Sequence, residues 1–177
     1  MPVDAKVISK TELGAWLASL SAKYDVVAPV TEDGVTRFRP LRDASSIDLD
    51  HQPNSLREEF TPETETLFEY KTVGKDTEVT PAGGLEKDRL IFGARACDAA
   101  GLKYVDAVYG MVKPVDQPYF DRRAKTAVVG IFCTDPWWSC FCTELNDFLT
   151  NPVEMDAGFT DIGDKYLAKA FTPKGEE

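Results

Sequence analysis

Residues 89–110 read RLIFGARACDAAGLKYVDAVYG, and residues 124–133 read AKTAVVGIFC. The first segment opens with a short apolar run and continues as a helical pattern that ends near Gly110. The second is an apolar, β-branched run, long enough for a strand that is buried on both faces. A strand, a helix and a strand at this spacing predict a parallel βαβ crossover.

The first forty residues add a helix and a hairpin to this crossover. Ser9 and Glu12 form a capping-box pattern, and Leu13, Trp16, Leu17 and Leu20 then recur at helical spacing. The runs YDVVAPV and VTRFRP flank the turn TEDG and predict a β-hairpin over residues 24–40. The fold class predicted is α/β: a mixed sheet with a βαβ crossover in the second half, and an N-terminal helix plus hairpin.

Weaker patterns fill the rest of the chain. Residues 65–71 predict a strand, and residues 158–171 predict a closing hairpin with its turn at DIGD. Residues 42–62 are polar and irregular, apart from a short helix at NSLREEF. Residues 73–88 are rich in Gly, Thr and charge, and predict a flexible loop. Since the chain has ordinary domain size, we expect residues 1–177 to form a single α/β domain.

Charge and hydropathy limit the classes of function. The net charge of −10 argues against nucleic acid and against an anionic membrane surface, since both require a basic face. No run of eighteen apolar residues is present, and MPVDAKVISK lacks the apolar core of a signal peptide. The sequence therefore predicts a cytoplasmic protein with no nucleic-acid or membrane partner. Disulfides are rare in that compartment.

The four cysteines fall at informative places on this frame. Cys97 lies where the LIFGA strand meets the next helix, and Cys133 ends the AVVGIF strand. Cys140 and Cys142 lie in the loop that follows. In a parallel βαβ unit both junctions lie at the carboxyl edge of the sheet, where open α/β sheets bind ligands. We therefore expect the four thiols to converge at that edge.

Their spacing leaves three interpretations open. Zinc sites usually use two close C-x(2–4)-C pairs, whereas this chain has a lone Cys97 followed by C-x(6)-C-x-C. A 4Fe–4S cluster accepts more varied spacing, since each thiolate reaches a different iron. The positive end of the helix that starts near Cys97 would favour a negatively charged cluster. Ordinary packing is the third interpretation, because cysteine is often buried.

Other side chains near the thiols each allow more than one role. Trp137 and Trp138 either shield a cluster or form a hydrophobic lid or partner contact. Arg95 and Asp98 either pair with each other or cap the helix, and capping is the simpler expectation. His51, the single histidine, lies in the polar segment and is expected at the surface. No G-x-G-x-x-G supports a nucleotide or flavin site.

Three blocks of the chain, taken together, resemble a known family. LIFGARACDAAGLKYVDAVY, GIFCTDPWWSCFCT and TDIGDKYLAKA resemble successive blocks of the iron–sulfur beta subunit family of cytoplasmic sulfhydrogenases and NiFe hydrogenases. An iron–sulfur component of anaerobic sulfite reductase belongs to the same broad group. The N-terminal pieces YDVVAPV, RFRP and ETLFEY follow the family order, so the resemblance covers most of the chain.

This resemblance implies an electron-transfer subunit between a flavin-containing diaphorase subunit and a catalytic hydrogenase or reductase subunit. It implies that Cys97, Cys133, Cys140 and Cys142 hold a 4Fe–4S cluster. Family members also carry a C-terminal ferredoxin-like dicluster region, whose cysteine runs are absent from this sequence. We therefore expect the chain to be the N-terminal domain of a longer electron-transfer subunit. PWW replaces a small, Gly-containing stretch of the family, which leaves the exposure of the cluster and its docking partner open.

An alternative function belongs to a different class. The chain would then be a structural docking module of the same complex, with cysteines that bind zinc or no metal.

Overall fold

The computed structural model describes residues 5–50, 54–111, 113–145 and 152–177. Its helices are α1 (Lys10–Leu20), α2 (Ala96–Met111), α3 (Gln117–Ala124), α4 (Cys142–Leu145) and α5 (Pro173–Glu176), with 3-10 helices at Ala44–Ser46 and Leu56–Glu59. Its strands are β1 (Ala5–Ser9), β2 (Asp25–Glu32), β3 (Val35–Pro40), β4 (Phe68–Val73), β5 (Asp76–Pro81), β6 (Arg89–Arg95), β7 (Thr126–Phe132), β8 (Ala157–Asp161) and β9 (Lys165–Ala170).

Within the described ranges, seven strands form one mixed sheet in the order β1-β9-β8-β7-β6-β2-β3. The four central strands β2, β6, β7 and β8 run parallel to one another, and the outer pairs are antiparallel. The predicted crossover is confirmed as β6, α2 and β7. The predicted hairpins are confirmed as β2 with β3 and β8 with β9. The α/β class is therefore confirmed.

Helices cover both faces of the central strands. Along β6, Leu90 and Phe92 pack in a core with Leu17 of α1, whereas Ile91 packs in a second core with α2 and α3. This alternation follows from the two-residue period of a strand. The apolar runs read in the sequence are thus strands between two helical layers. The same described residues contain no helix that is both long and apolar enough to cross a membrane.

One region differs from the prediction, and several further elements were not predicted, among them β1 and α3. The region predicted as a flexible loop contains β5, which pairs with β4 as an antiparallel hairpin around Gly74. That expectation was wrong because its polar composition hid a two-residue alternation. Strand β1, which pairs with β9, and helix α3 were not predicted. Asp116, which caps α3, and the proline in its first turn are the signals that could have located α3.

A glycine shapes the end of β6. Gly93 has φ of +86° at a shift in the β6–β7 register, and an added Cβ would lie 2.9 Å from the Pro29 ring of β2. Only glycine adopts this conformation without strain. The bulge bends β6 just before Arg95 and the start of α2. The chain therefore enters α2 in a direction set by Gly93.

We expect Tyr119→Phe to change the pH dependence of stability. Tyr119 is fully buried and stacks on Tyr109 with ring centroids 4.6 Å apart. Its hydroxyl donates a hydrogen bond to the Asp106 carboxylate. Burial and the Asp106 carboxylate raise the pKa of Tyr119. The unfolded chain releases this proton above about pH 10, so stability falls as pH rises past that value.

At pH 8 the variant should lose about 1–2 kcal/mol of unfolding free energy, since one hydrogen bond to a charged group is removed. Above about pH 10 its stability should fall less steeply than that of the wild type, because the titrating group is gone. Urea denaturation at both pH values checks this. Parallel pH profiles for the two proteins would contradict it.

Candidate metal centre

Two of the predicted ligands lie at one edge of the sheet. Cys97 is the second residue of α2, directly after β6, and Cys133 directly follows β7. Strands β6 and β7 are parallel neighbours whose register pairs Arg95 with Ile131. The carboxyl ends of both strands therefore present a thiol at the same edge. The predicted placement of these two cysteines is confirmed.

The other two predicted ligands lie beyond β7. Cys140 is exposed in the loop, where its N–H donates to the Trp137 carbonyl at 2.8 Å and closes a turn. Cys142 is half-buried and begins α4. The backbone thus changes from loop to helix between the two thiols. C-x-C is therefore not part of a regular strand, in which the two side chains would point to opposite sides.

Electrostatic coupling links three of the thiols. Burial raises the pKa of the Cys97 thiol, although part of its side chain reaches the surface. Negative charge at Cys133, Asp98 and Cys142 raises it further, while the Asp98 N–H acts in the opposite direction. Coulombic effects of this kind operate over short distances in a protein. Cys133 and Cys142 therefore each lie close enough to Cys97 to affect its pKa.

Arg95 faces the thiols from the end of β6. Its Nη2 donates to the Leu49 carbonyl at 2.6 Å, and its Nη1 lies 3.9 Å from the Cys133 sulfur. Its Nε is buried and has no hydrogen-bond partner among the described residues. A guanidinium held in this way supplies positive charge beside a thiolate. The contact between Arg95 and the Leu49 carbonyl was not predicted from the sequence, because the two residues lie 46 positions apart.

Asp98 has a structural role that the sequence did not show. Its two carboxylate oxygens accept hydrogen bonds from the Ser55 hydroxyl and the Leu56 N–H, both at 2.7 Å. Burial raises the pKa of Asp98, and the two hydrogen bonds oppose this shift. Asp98 thereby fastens the 3-10 helix Leu56–Glu59 to the first turn of α2. The alternative of an Arg95–Asp98 pair is wrong, since both side chains have other partners, and the expected cap on α2 is replaced by these contacts of Asp98 to Ser55 and Leu56.

The aromatic residues of the loop face solvent. Trp137 is 71% exposed, Trp138 is 88% exposed and Phe141 is 62% exposed. Side chains this exposed do not belong to the hydrophobic core. A partner contact and a cover for a bound group remain as interpretations, since aromatic side chains of this size are enriched at interfaces.

The thiols match a metal centre in chemistry more closely than in position. The four cysteines, all within the described residues, are free thiols, and thiolates are the ligands of iron–sulfur and zinc sites. Across those residues, no three Cys, His, Asp or Glu side chains are grouped closely enough to hold a metal ion. The thiols are therefore suitable ligands for a cluster, and Cys97 and Cys133 lie at one edge of the sheet. The described side chains are nevertheless not grouped closely enough to bind one metal ion. His51 lies outside the described residues.

The comparison with known proteins finds a similarity to the beta subunit of a sulfhydrogenase. The chain is 31% identical over 156 residues to sulfhydrogenase 2 subunit beta of Pyrococcus furiosus. The match covers 86% of this chain and 44% of that protein, so the chain spans less than half the length of the curated relative it matches. No family model matches the chain, and no solved structure matches it significantly. This identity over most of the chain supports a relationship to that beta subunit.

Proposed function

We propose that this chain is the electron-transfer domain of a multisubunit oxidoreductase of the hydrogenase type. The cofactor would be a 4Fe–4S cluster, held by Cys97, Cys133, Cys140 and Cys142. When bound, such a cluster takes up and releases one electron at a time. The protein would supply burial, hydrogen bonds to sulfur and a fixed position between neighbouring centres.

The single observation that best supports the proposal is the placement of Cys97 and Cys133. The two thiols lie 36 positions apart in the sequence, yet neighbouring parallel strands place them at the same edge. Ordinary core packing does not explain this, because Cys97 is exposed and Cys133 only half-buried. The similarity to a hydrogenase beta subunit supports the same interpretation.

Binding would require the loop after β7 to approach Cys97. The described thiols do not form a metal-binding group, so at least one must move before all four contact a single cluster. Cys140 is best placed to do so, since it is exposed and lies in a loop instead of a strand. The half-buried Cys133, which directly follows β7, would change least.

The partners we propose are a flavin-containing diaphorase subunit and a catalytic hydrogenase or reductase subunit. The support for them is the resemblance of the sequence blocks and the relative named as a subunit beta. Electrons would enter this chain from one partner and leave to the other. The acidic surface of the chain, with a net charge of −10, favours partners that present basic surfaces.

Metal analysis of protein prepared without oxygen tests the proposal. We expect about four irons and four sulfides per chain, with broad visible absorption, because a cubane cluster uses one thiolate per iron.

The alternative function is a docking module with zinc-bound or metal-free cysteines. Its metal-free form is favoured by the separation of the thiols in the described positions. Stoichiometric zinc without sulfide would establish that alternative.

Arg95 should tune the reduction potential of the bound cluster. Its guanidinium faces the Cys133 sulfur and would stabilise the reduced, more negative state. We expect Arg95→Gln to lower the midpoint potential by roughly 60 mV. A charged hydrogen bond contributes about 1.5 kcal/mol or more, and a one-electron couple moves by about 59 mV per tenfold change. Arg95→Lys is the control and should shift the potential less. A potential that stays constant or rises in Arg95→Gln would contradict this role.

A further inference from the structure

The hairpin formed by β4 and β5 is amphipathic. On one face the cross-strand pairs are Phe68 with Pro81, Tyr70 with Val79, and Thr72 with Thr77. On the other face they are Glu69 with Thr80, Lys71 with Glu78, and Val73 with Asp76. Alternation of this kind normally buries one face of a sheet and leaves the other in water.

The apolar face of this hairpin is nevertheless exposed. Phe68 is 64% exposed, Tyr70 is 78% exposed and Val79 is 59% exposed. All twelve strand residues are exposed, and β4 and β5 form a sheet separate from the main one. An isolated two-stranded hairpin is only marginally stable in water. A face built from aromatic and β-branched pairs is therefore one that another surface would stabilise.

An open groove continues this face toward the body of the protein. It has a volume of about 1040 Å³ and lies between the base of the hairpin, the last turns of α2 and the start of α3. Phe68 and Pro81 belong both to the apolar face and to the groove, and Val108 and Tyr109 of α2 line its far side. Hairpin face and groove thus form one continuous apolar surface, which we call the hairpin surface.

The charges around the hairpin surface indicate which kind of protein surface could bind to it. The groove side of its rim carries more carboxylates than cations. The carboxylates are Glu65, Asp116 and Asp121. The cation among the lining residues is Arg122, which already pairs with Glu65. A second copy would bring an equally acidic rim on a chain of net charge −10, which disfavours self-association.

We propose that the hairpin surface docks another protein subunit whose contact area is apolar and whose rim carries Lys and Arg. Complementary charge would steer the encounter and fix the register, while the aromatic face would supply the desolvated centre. The proposal rests on the proposed function only in assigning that subunit to the same oxidoreductase assembly. It does not depend on what the cysteines bind.

Matched double variants test the proposal in the native assembly, purified through a tag on this chain. Tyr70→Thr with Val79→Thr removes the centre of the apolar face. The control, Lys71→Thr with Glu78→Thr, changes neighbouring residues on the same strands, leaves the net charge constant and alters only the polar face. Thr is well suited to strands, so both variants keep β propensity. Hydrogen exchange of the β4 and β5 amides in each purified variant checks that the hairpin still forms.

We expect the apolar-face variant to lose co-purifying subunits by about tenfold or more, as for the central residues of an interface, and the control to retain them. Retention equal to wild type in the apolar-face variant would overturn the proposal. An equal loss in both variants would also overturn it. Iron and sulfide content should be the same in all three proteins. A loss of docking with unchanged cofactor content would show that this surface acts independently of the electron relay. Absence of a cluster in every sample would contradict the electron relay and leave the docking proposal standing.

Photocrosslinking identifies the occupant. A benzophenone side chain replaces Tyr70 in one sample and Ile162, which is exposed in the turn after β8, in the control. We expect position 70 to form an adduct with a Lys- and Arg-bearing segment of another subunit. An adduct with a second copy of this chain, or equal yields from positions 70 and 162, would overturn the proposal.

Discussion

Cys140→Ser should abolish cofactor binding without affecting the fold. We expect iron and sulfide to fall from about four per chain to below about one, since a cubane cluster requires a thiolate on each iron. Cys140 is exposed and lies in a loop, so its thiol contributes nothing to the hydrophobic core. The unfolding free energy of the metal-free variant should therefore remain within about 0.5 kcal/mol of wild type.

The neighbouring Ser139→Ala is the matched control, because it alters the same exposed loop and leaves all four thiols in place. Its iron, sulfide and absorbance should equal those of the wild type. An unchanged visible spectrum in Cys140→Ser would remove Cys140 from the ligand set. Loss of metal in both variants would assign the effect to the loop and not to the thiol.

Gly130→Ala should be the most destabilising of the single substitutions considered for this chain. Gly130 lies in β7, and an added Cβ would lie 2.1 Å from the Met155 methyl group and 2.8 Å from the Ala94 carbonyl oxygen. The methionine can move, but the carbonyl belongs to the backbone of β6. We expect a loss of about 3 kcal/mol, at the upper end for overpacked cores, measured by urea denaturation.

The same substitution should weaken cofactor loading. Strands β6 and β7 lead directly to Cys97 and Cys133, so separating them moves both thiols. Gly101→Ala in α2 is the control: nothing lies within 4 Å of its added Cβ, and alanine is the better helix former by about 1 kcal/mol. It should stabilise the protein slightly. Equal stability of Gly130→Ala and wild type would contradict the packing of β6 against β7.

The sequence was sufficient to predict those helices and strands whose burial imposes a clear hydrophobic pattern. The apolar runs of β6 and β7 lie between two cores, and the apolar face of α1 packs into one of them, so their patterns are strong. The hairpin of β4 and β5 has no core of its own. Its alternation was therefore weaker than its loop-like composition, and the prediction failed for β5, whereas the strand predicted over residues 65–71 overlaps β4.

The candidate site was predictable only in part. The edge occupied by Cys97 and Cys133 followed from the crossover, because parallel strands end on the same side. The positions of Cys140 and Cys142 depend on a loop whose path no periodicity specifies. The contact between Arg95 and Cys133 depends on strand register, and the anchor at Leu49 depends on a distant segment. Such contacts arise from tertiary packing and have no local sequence pattern.

A one-electron reductive titration of the oxygen-free chain, with iron and sulfide determined on the same sample, is the decisive test of the electron relay. We expect about four irons and four sulfides per chain. We also expect reversible uptake of one electron per chain, with bleaching of the visible band. Zinc without sulfide, or an iron-containing sample that takes up no electron, would contradict the electron relay.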